Sequence, residues 1–98
     1  MMERRTSLMV AHDILQEARG GSNKTNLVYR CNLNFKIIKT WLSRLIAKGL
    51  IDYSPSSRTW TTTSKGMSFI LAMVYVKAIW DSEAPPEVIS MIETVIAG

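Results

Sequence analysis

Between Met67 and Trp80 the chain runs for fourteen residues in which only Ser68 and Lys77 are plainly polar. A helix that is apolar all round must be covered on more than one side. Fourteen residues are too few to cross a bilayer, which takes ~20, so a protein cover is expected; peripheral attachment to a membrane surface is the weaker alternative, because Lys/Arg are scarce along this helix. The apolar side chains fall into two opposed stripes. Met67, Leu71, Val74 and Ala78 form one; Phe69, Met73, Val76 and Trp80 form the other. A chain of 98 residues builds about one core. One stripe is expected to pack on that core, and the second is left without a partner.

Just beyond lies Pro85-Pro86, which interrupts the helix. Pro86 suits the first turn of a further helix, about 87–97, with Val88, Met91, Ile92 and Val95 on one face. This last helix can fold back over the open stripe, or the helices of two copies can interleave. Burying four large apolar side chains is worth roughly 6–12 kcal/mol gross, before the cost of association. A homodimer that covers both stripes is the preferred expectation, with Phe69, Met73, Val76, Trp80, Val88, Met91, Ile92 and Val95 at its interface.

Upstream, apolar periodicity marks three helices. The first runs from about Thr6 to Arg19, with Leu8, Ala11, Ile14, Leu15 and Ala18 inward and Met9, His12, Asp13, Gln16 and Glu17 outward. Thr6 or Ser7 caps it and Gly20-Gly21 stops it. The second is short, about Lys24 to Cys31, with Ser22, Asn23 and Thr25 as possible caps. Leu27, Val28 and Cys31 face inward, and Thr25, Tyr29 and Arg30 outward. Asn32-Leu33-Asn34 reads as a tight turn whose Leu33 plugs the core. The third helix, about Phe35 to Lys48, buries Ile38, Trp41, Leu42 and Leu45 and turns Lys36, Lys39, Thr40, Ser43 and Arg44 outward. Gly49 is placed as its left-handed stop. Residues 50–53 and 59–62 are rich in aromatic and β-branched residues around a turn-type cluster, 54–58, and read as a β-hairpin. A helix from about 64 to 81 follows.

The expected fold class is therefore mainly α with a small β-hairpin wing. It is a winged helix-turn-helix domain over residues 1–66 followed by a C-terminal helical dimerisation segment over 67–98.

Charge divides at the same place. Residues 1–66 hold eleven Lys/Arg against Glu3, Asp13, Glu17 and Asp52, a balance of +7; residues 67–98 hold Lys77 against Asp81, Glu83, Glu87 and Glu93, a balance of −3. A basic block points to a polyanion, most often nucleic acid, or to an ordinary solvated surface.

No catalytic set is visible. One His and one Cys give no metal-ligand spacing, and Gly20-Gly21 is a helix stop rather than a phosphate loop. His12, near the edge of a helix face, is read as solvated or capping. Cys31 is read as a small core residue. No metal, cofactor or enzyme activity is expected, and nothing names a small-molecule effector. Glu3, Arg4 and Arg5 lead into an amphipathic stretch with no compact apolar run, so no export signal is expected. A single cysteine suits a reducing cytoplasm.

Three stretches carry a family resemblance. Lys24-Thr25-x-x-x-Tyr29-x-x-Asn32-Leu33-Asn34 resembles the second helix and turn of the small archaeal winged helix-turn-helix DNA-binding proteins. Leu42-x-x-Leu45-Ile46-x-Lys48-Gly49-Leu50-Ile51 resembles the end of their recognition helix and the first hairpin strand. Trp60-x-x-Thr63-x-Lys65-Gly66 resembles the start of their last helix. The resemblance covers about residues 7–80. It implies double-stranded DNA as partner and a homodimer joined through the last helix. The sequence departs from the pattern at Thr62, where an aliphatic residue is usual, and at Pro85-Pro86, where the last helix breaks.

Under that resemblance the third helix enters the major groove. Lys36 and Lys39 then reach guanine edges or phosphates, and Thr40, Ser43 and Arg44 line the same face. Lys24 and Thr25 anchor the backbone at the start of the second helix, with Tyr29 and Arg30 beside them. Asn34 either caps the helix or touches DNA. Arg58 reaches out from the wing. The expected function is a dimeric transcriptional regulator or a nucleoid-associated protein in the cytoplasm. The alternative is a winged-helix protein–protein interaction module that binds no DNA.

Overall fold

Each of the first four helices begins at a side chain that replaces a missing backbone partner. In the computed structural model, which describes residues 5–97, Thr6 accepts from the Met9 amide at 3.2 Å. Asn23 accepts from Asn26 at 2.8 Å, and Asn34 from Ile37 at 2.8 Å. Thr63 accepts from Gly66 at 3.1 Å. These caps open α1 (Ser7–Glu17), α2 (Lys24–Arg30), α3 (Phe35–Ala47) and α4 (Ser64–Asp81). Between α3 and α4 lie β1 (Ile51–Ser54) and β2 (Thr59–Thr62), and α5 (Pro86–Ala97) ends the chain. Of the caps open for α2, Asn23 takes the role.

Two helix ends use the same left-handed exit. After α2, Asn32 (φ 54°) donates its amide to the Tyr29 carbonyl, and Leu33 donates to Val28 at 2.9 Å. After α3, Gly49 (φ 74°) donates to Ile46 at 2.9 Å and Leu50 to Leu45 at 3.0 Å. This double closure satisfies the last carbonyls and reverses the chain. The first instance is the tight turn between α2 and α3, with Leu33 half-buried against the core.

The hairpin is antiparallel, with Ile51 opposite Thr62 and Tyr53 opposite Trp60. Ser22 adds a bridge on its outer edge. Its amide donates to the Trp60 carbonyl at 2.9 Å, and its carbonyl accepts from the Trp60 amide at 2.8 Å. Gly20-Gly21 is thus more than a helix stop. Gly21 (φ 93°) brings the chain onto β2 so closely that a Cβ there would lie 2.8 Å from the Thr59 methyl.

The Thr63-x-Lys65-Gly66 motif turns out to be a joint. The Thr63 hydroxyl donates to the Gly49 carbonyl at 2.7 Å, and the Lys65 ammonium donates to the Lys48 carbonyl at 2.7 Å. A methyl on Gly66 would collide with the Leu50 carbonyl and the Thr62 side chain. Together these residues lock the start of α4 to the end of α3.

The core gathers Ala11, Ile14, Leu15 and Ala18 from α1, Leu27, Val28 and Cys31 around α2, and Ile38, Leu42 and Leu45 from α3. Leu50, Ile51 and Ile70 close it. Three expectations need correction. Leu8, expected inward, is 57% exposed, because it sits in the first turn of α1 at the rim of a notch with Trp41 and Phe69. The stripes of α4 are also assigned differently. Leu71 and Val74, expected on the core, are exposed. Phe69 and Met73, expected at the dimer interface, are half-buried instead. The rotation follows from Gly66. It lets α4 approach most closely on its own face, which then continues through Ile70 to Met73 along i, i+4, i+7.

Candidate nucleic-acid interface

The buried stripe of α3, Ile38, Leu42 and Leu45, with Trp41 half-buried, fixes what the helix shows to solvent. Opposite it, at 3.6-residue spacing, run Lys36, Thr40 and Ser43, with Lys39 and Arg44 on the flanks. All five are exposed. The Thr40 hydroxyl donates to the Lys36 carbonyl at 3.4 Å and Ser43 to Lys39 at 3.1 Å. Their protons are occupied, so toward an outside partner both present acceptor lone pairs. The Arg44 guanidinium lies 4.7 Å from the Trp41 ring centroid, a cation–π contact that holds it against the helix.

A second group assembles beside the wing. The Ser22–Trp60 bridge draws the start of α2 against the hairpin. Asn23, Lys24, Thr25, Tyr53, Arg58 and Trp60 then line one hollow of about 380 Å³. Tyr53 and Trp60 form its aromatic wall, with ring centroids 4.4 Å apart. Lys24 and Arg58, thirty-four positions apart in sequence, thus share one concavity. Tyr29 is 75% exposed, and Arg30 beside it is exposed as well. The Asn34 carbonyl oxygen is occupied in capping, which leaves its amide group outward.

From Ala18 to Ile51 the chain carries seven Lys/Arg and no acidic residue. Among the described residues none of Lys24, Arg30, Lys36, Lys39 and Arg58 makes an ion pair. Other cations have internal work. Arg5 pairs with Asp13 at 2.9 Å, Arg19 donates to the Gln16 carbonyl, and Lys65 closes α3. Among the described residues, most of the cations with neither an ion pair nor such an internal contact therefore lie in α2, in α3 and on the wing, with Lys77 of α4 outside that group. Such a concentration of positive charge suits a polyanion.

Three exposed apolar residues on α3 were not singled out as exposed from the sequence: Phe35 (50%), Ile37 (42%) and Ile46 (43%). Ile37 lines a hollow of about 410 Å³ with Asn34, Lys36, Thr40 and Trp41. The signal was present, since all three fall outside the 38–42–45 stripe.

His12 is not solvated as expected. It is half-buried on the side of α1 that meets α4; its Nδ1 lies 3.7 Å from the Asp13 carboxylate, and its Nε2 is enclosed without a hydrogen-bond partner among the described residues. It lines a groove of about 420 Å³ with Met9, Met73, Val76 and Trp80. Cys31 is buried. Burial pushes its thiol from 9.0 up to about 11, helped by the Asp13 and Glu17 carboxylates and opposed by Arg5. A thiol held neutral is a poor nucleophile. Among the described residues no group of three His, Cys, Asp or Glu is placed to hold a metal ion.

The chain matches no curated protein. Its residues 4–79 match the winged helix-turn-helix family, a span that takes in the three core helices, the hairpin and nearly all of α4. Membership points in general terms to a DNA-binding regulator and to a domain type that is typically not an enzyme. By this match, and by the helix order and wing described above, the chain belongs to the winged helix-turn-helix family.

Proposed function

We propose that the chain binds double-stranded DNA as a homodimer, as a transcriptional regulator or a nucleoid-associated protein. In this reading α3 lies in the major groove. Lys36 and Lys39 meet guanine edges or phosphates, and Thr40 and Ser43 accept from exocyclic amino groups. Arg44 is braced on Trp41. Lys24, Thr25, Tyr29 and Arg30 fix the register on the backbone, and Arg58 extends the contact from the wing. Asn34 contributes its free amide. The observation that carries the reading is the acid-free run from Ala18 to Ile51 with its seven Lys/Arg, of which Lys24 shares one hollow with Arg58 of the wing.

The dimer rests on the C-terminal helices. No residue of α5 is buried, and Val76 (58%), Trp80 (85%), Met91 (68%) and Val95 (79%) stand exposed in the single chain. Monomers seldom leave so continuous an apolar surface open. Leu71, Val74 and Ile79 join it on α4, in place of Phe69 and Met73. A second copy matches this surface by symmetry and sets two α3 helices side by side. No described helix is long and apolar enough to cross a membrane. A nucleoid location in the cytoplasm follows from the proposed reading.

The double variant Lys36→Ala, Lys39→Ala tests the docking face. Both side chains are exposed, so helix content by circular dichroism should be unchanged while duplex affinity falls at least tenfold in a gel-shift titration. Undiminished binding would reject the docking face.

A further inference from the structure

Ile37 belongs neither to the buried core nor to the half-buried residues packed against it. It is 42% exposed, lies off the buried stripe of α3, and sits within the first turn, at the end of the helix that Asn34 caps. Its neighbours in the hollow are Asn34, Lys36, Thr40 and Trp41. A large apolar side chain flanked by Lys36 and Thr40 is out of place if this face meets only phosphates, since a phosphate oxygen offers nothing to an aliphatic group. In the major groove the thymine C5-methyl is the apolar group that the base pairs present, and aliphatic or threonine methyl contact is how it is read. The N-terminal part of a recognition helix is also the part that reaches base edges.

We infer that Ile37, with the edge of Trp41 and the methyl of Thr40, forms an apolar seat for a thymine methyl, and so biases this chain toward T-containing duplexes. The inference rests on the reading of α3 as the helix that enters the groove. It adds an apolar contact, specific to the thymine methyl, to a surface whose other proposed base contacts are polar. Lys36 neutralises the adjacent phosphate or meets a neighbouring guanine, while Ile37 discriminates.

The test uses duplex pools of identical random sequence made with thymidine or with deoxyuridine, which differ only in the C5-methyl. Affinity is measured by fluorescence anisotropy for the full chain, for Ile37→Ala and for Lys36→Ala. Each seated methyl is worth about fourfold, so a dimer should prefer the thymidine pool on the order of tenfold. Ile37→Ala should bind both pools alike, at the affinity the unaltered chain has for the deoxyuridine pool. Lys36→Ala should weaken binding to both pools and keep the preference. Equal binding of the two pools by the unaltered chain, or a preference that survives in Ile37→Ala, would overturn the inference while leaving duplex binding intact. Binding to neither pool would overturn the reading of the chain as a duplex binder, and the methyl seat with it.

Discussion

Thr62 is polar and buried at 8% exposure, at a position where the resemblance leads one to expect an aliphatic residue. Its hydroxyl donates to the Leu15 carbonyl at 2.6 Å, and its amide donates to Ala18 at 3.0 Å. Leu15 is in the last turn of α1, where carbonyls lack helical partners. Arg19, the residue four further on, donates to Gln16 instead. Thr62 thus supplies what the end of α1 lacks and ties β2 to it. Thr62→Val keeps the shape and removes the donor. It should cost ~1–3 kcal/mol, the penalty of an unsatisfied buried acceptor, read as a lower urea midpoint at unchanged slope. A variant as stable as the parent would show that the hydroxyl bond is dispensable. Single residues were unevenly legible. Caps, turn glycine and core periodicity follow local rules, so Asn34, Gly49 and the 38–42–45 stripe could be read directly. The partner of Thr62 lies forty-seven residues away, and no local pattern announces it. The same holds for the enclosed Nε2 of His12, which depends on where α4 comes to rest.

The helices α1, α2 and α3 were readable because each has one apolar face. The fourth was not, because an all-round apolar helix has no moment to say which side turns inward. Gly66 decides that orientation through close approach, a steric matter rather than a hydropathic one. The wing shows the reverse case, a known element with an unforeseen detail. Arg58 adopts φ 53° at the hairpin turn, a left-handed conformation that costs a residue with a Cβ roughly 1–2 kcal/mol. Glycine would relieve the strain. Arg58→Gly should therefore raise stability by roughly 0.5–1 kcal/mol while weakening duplex binding several-fold. Thermal unfolding and anisotropy on the same sample would show the two effects moving in opposite directions. A variant both less stable and fully competent in binding would refute the assignment of strain and charge to this side chain. Ser22, which joins the wing as an outer bridge, had no strand-like neighbours to mark it. It is positioned by the left-handed Gly21 before it and the capping Asn23 after it.

The chain has a radius of gyration of 18.1 Å and a longest dimension of 62 Å, whereas a compact domain of 100 residues has a radius of about 13 Å. α4 buries only Gly66 and Ile70 and α5 buries no residue, so most of the apolar side chains of both helices remain outward. That the helices carry surplus apolar surface was legible from residues 67–97. Which side chains meet the core was not, for the reason given by Gly66. If a second copy covers this surface, Ile92→Glu should convert a two-chain species to a single chain in sedimentation equilibrium. Helix content should change little, because Ile92 is 50% exposed in the single chain. An unaltered chain that sediments alone would remove the dimer. Paired cationic faces meeting a duplex would make affinity fall steeply with salt, and that dependence reports on them most directly. Two copies neutralising about four phosphates each predict a log–log slope of roughly −7 for a random duplex, followed by anisotropy. A slope near zero, or no binding even in dilute buffer, would contradict that mode of binding.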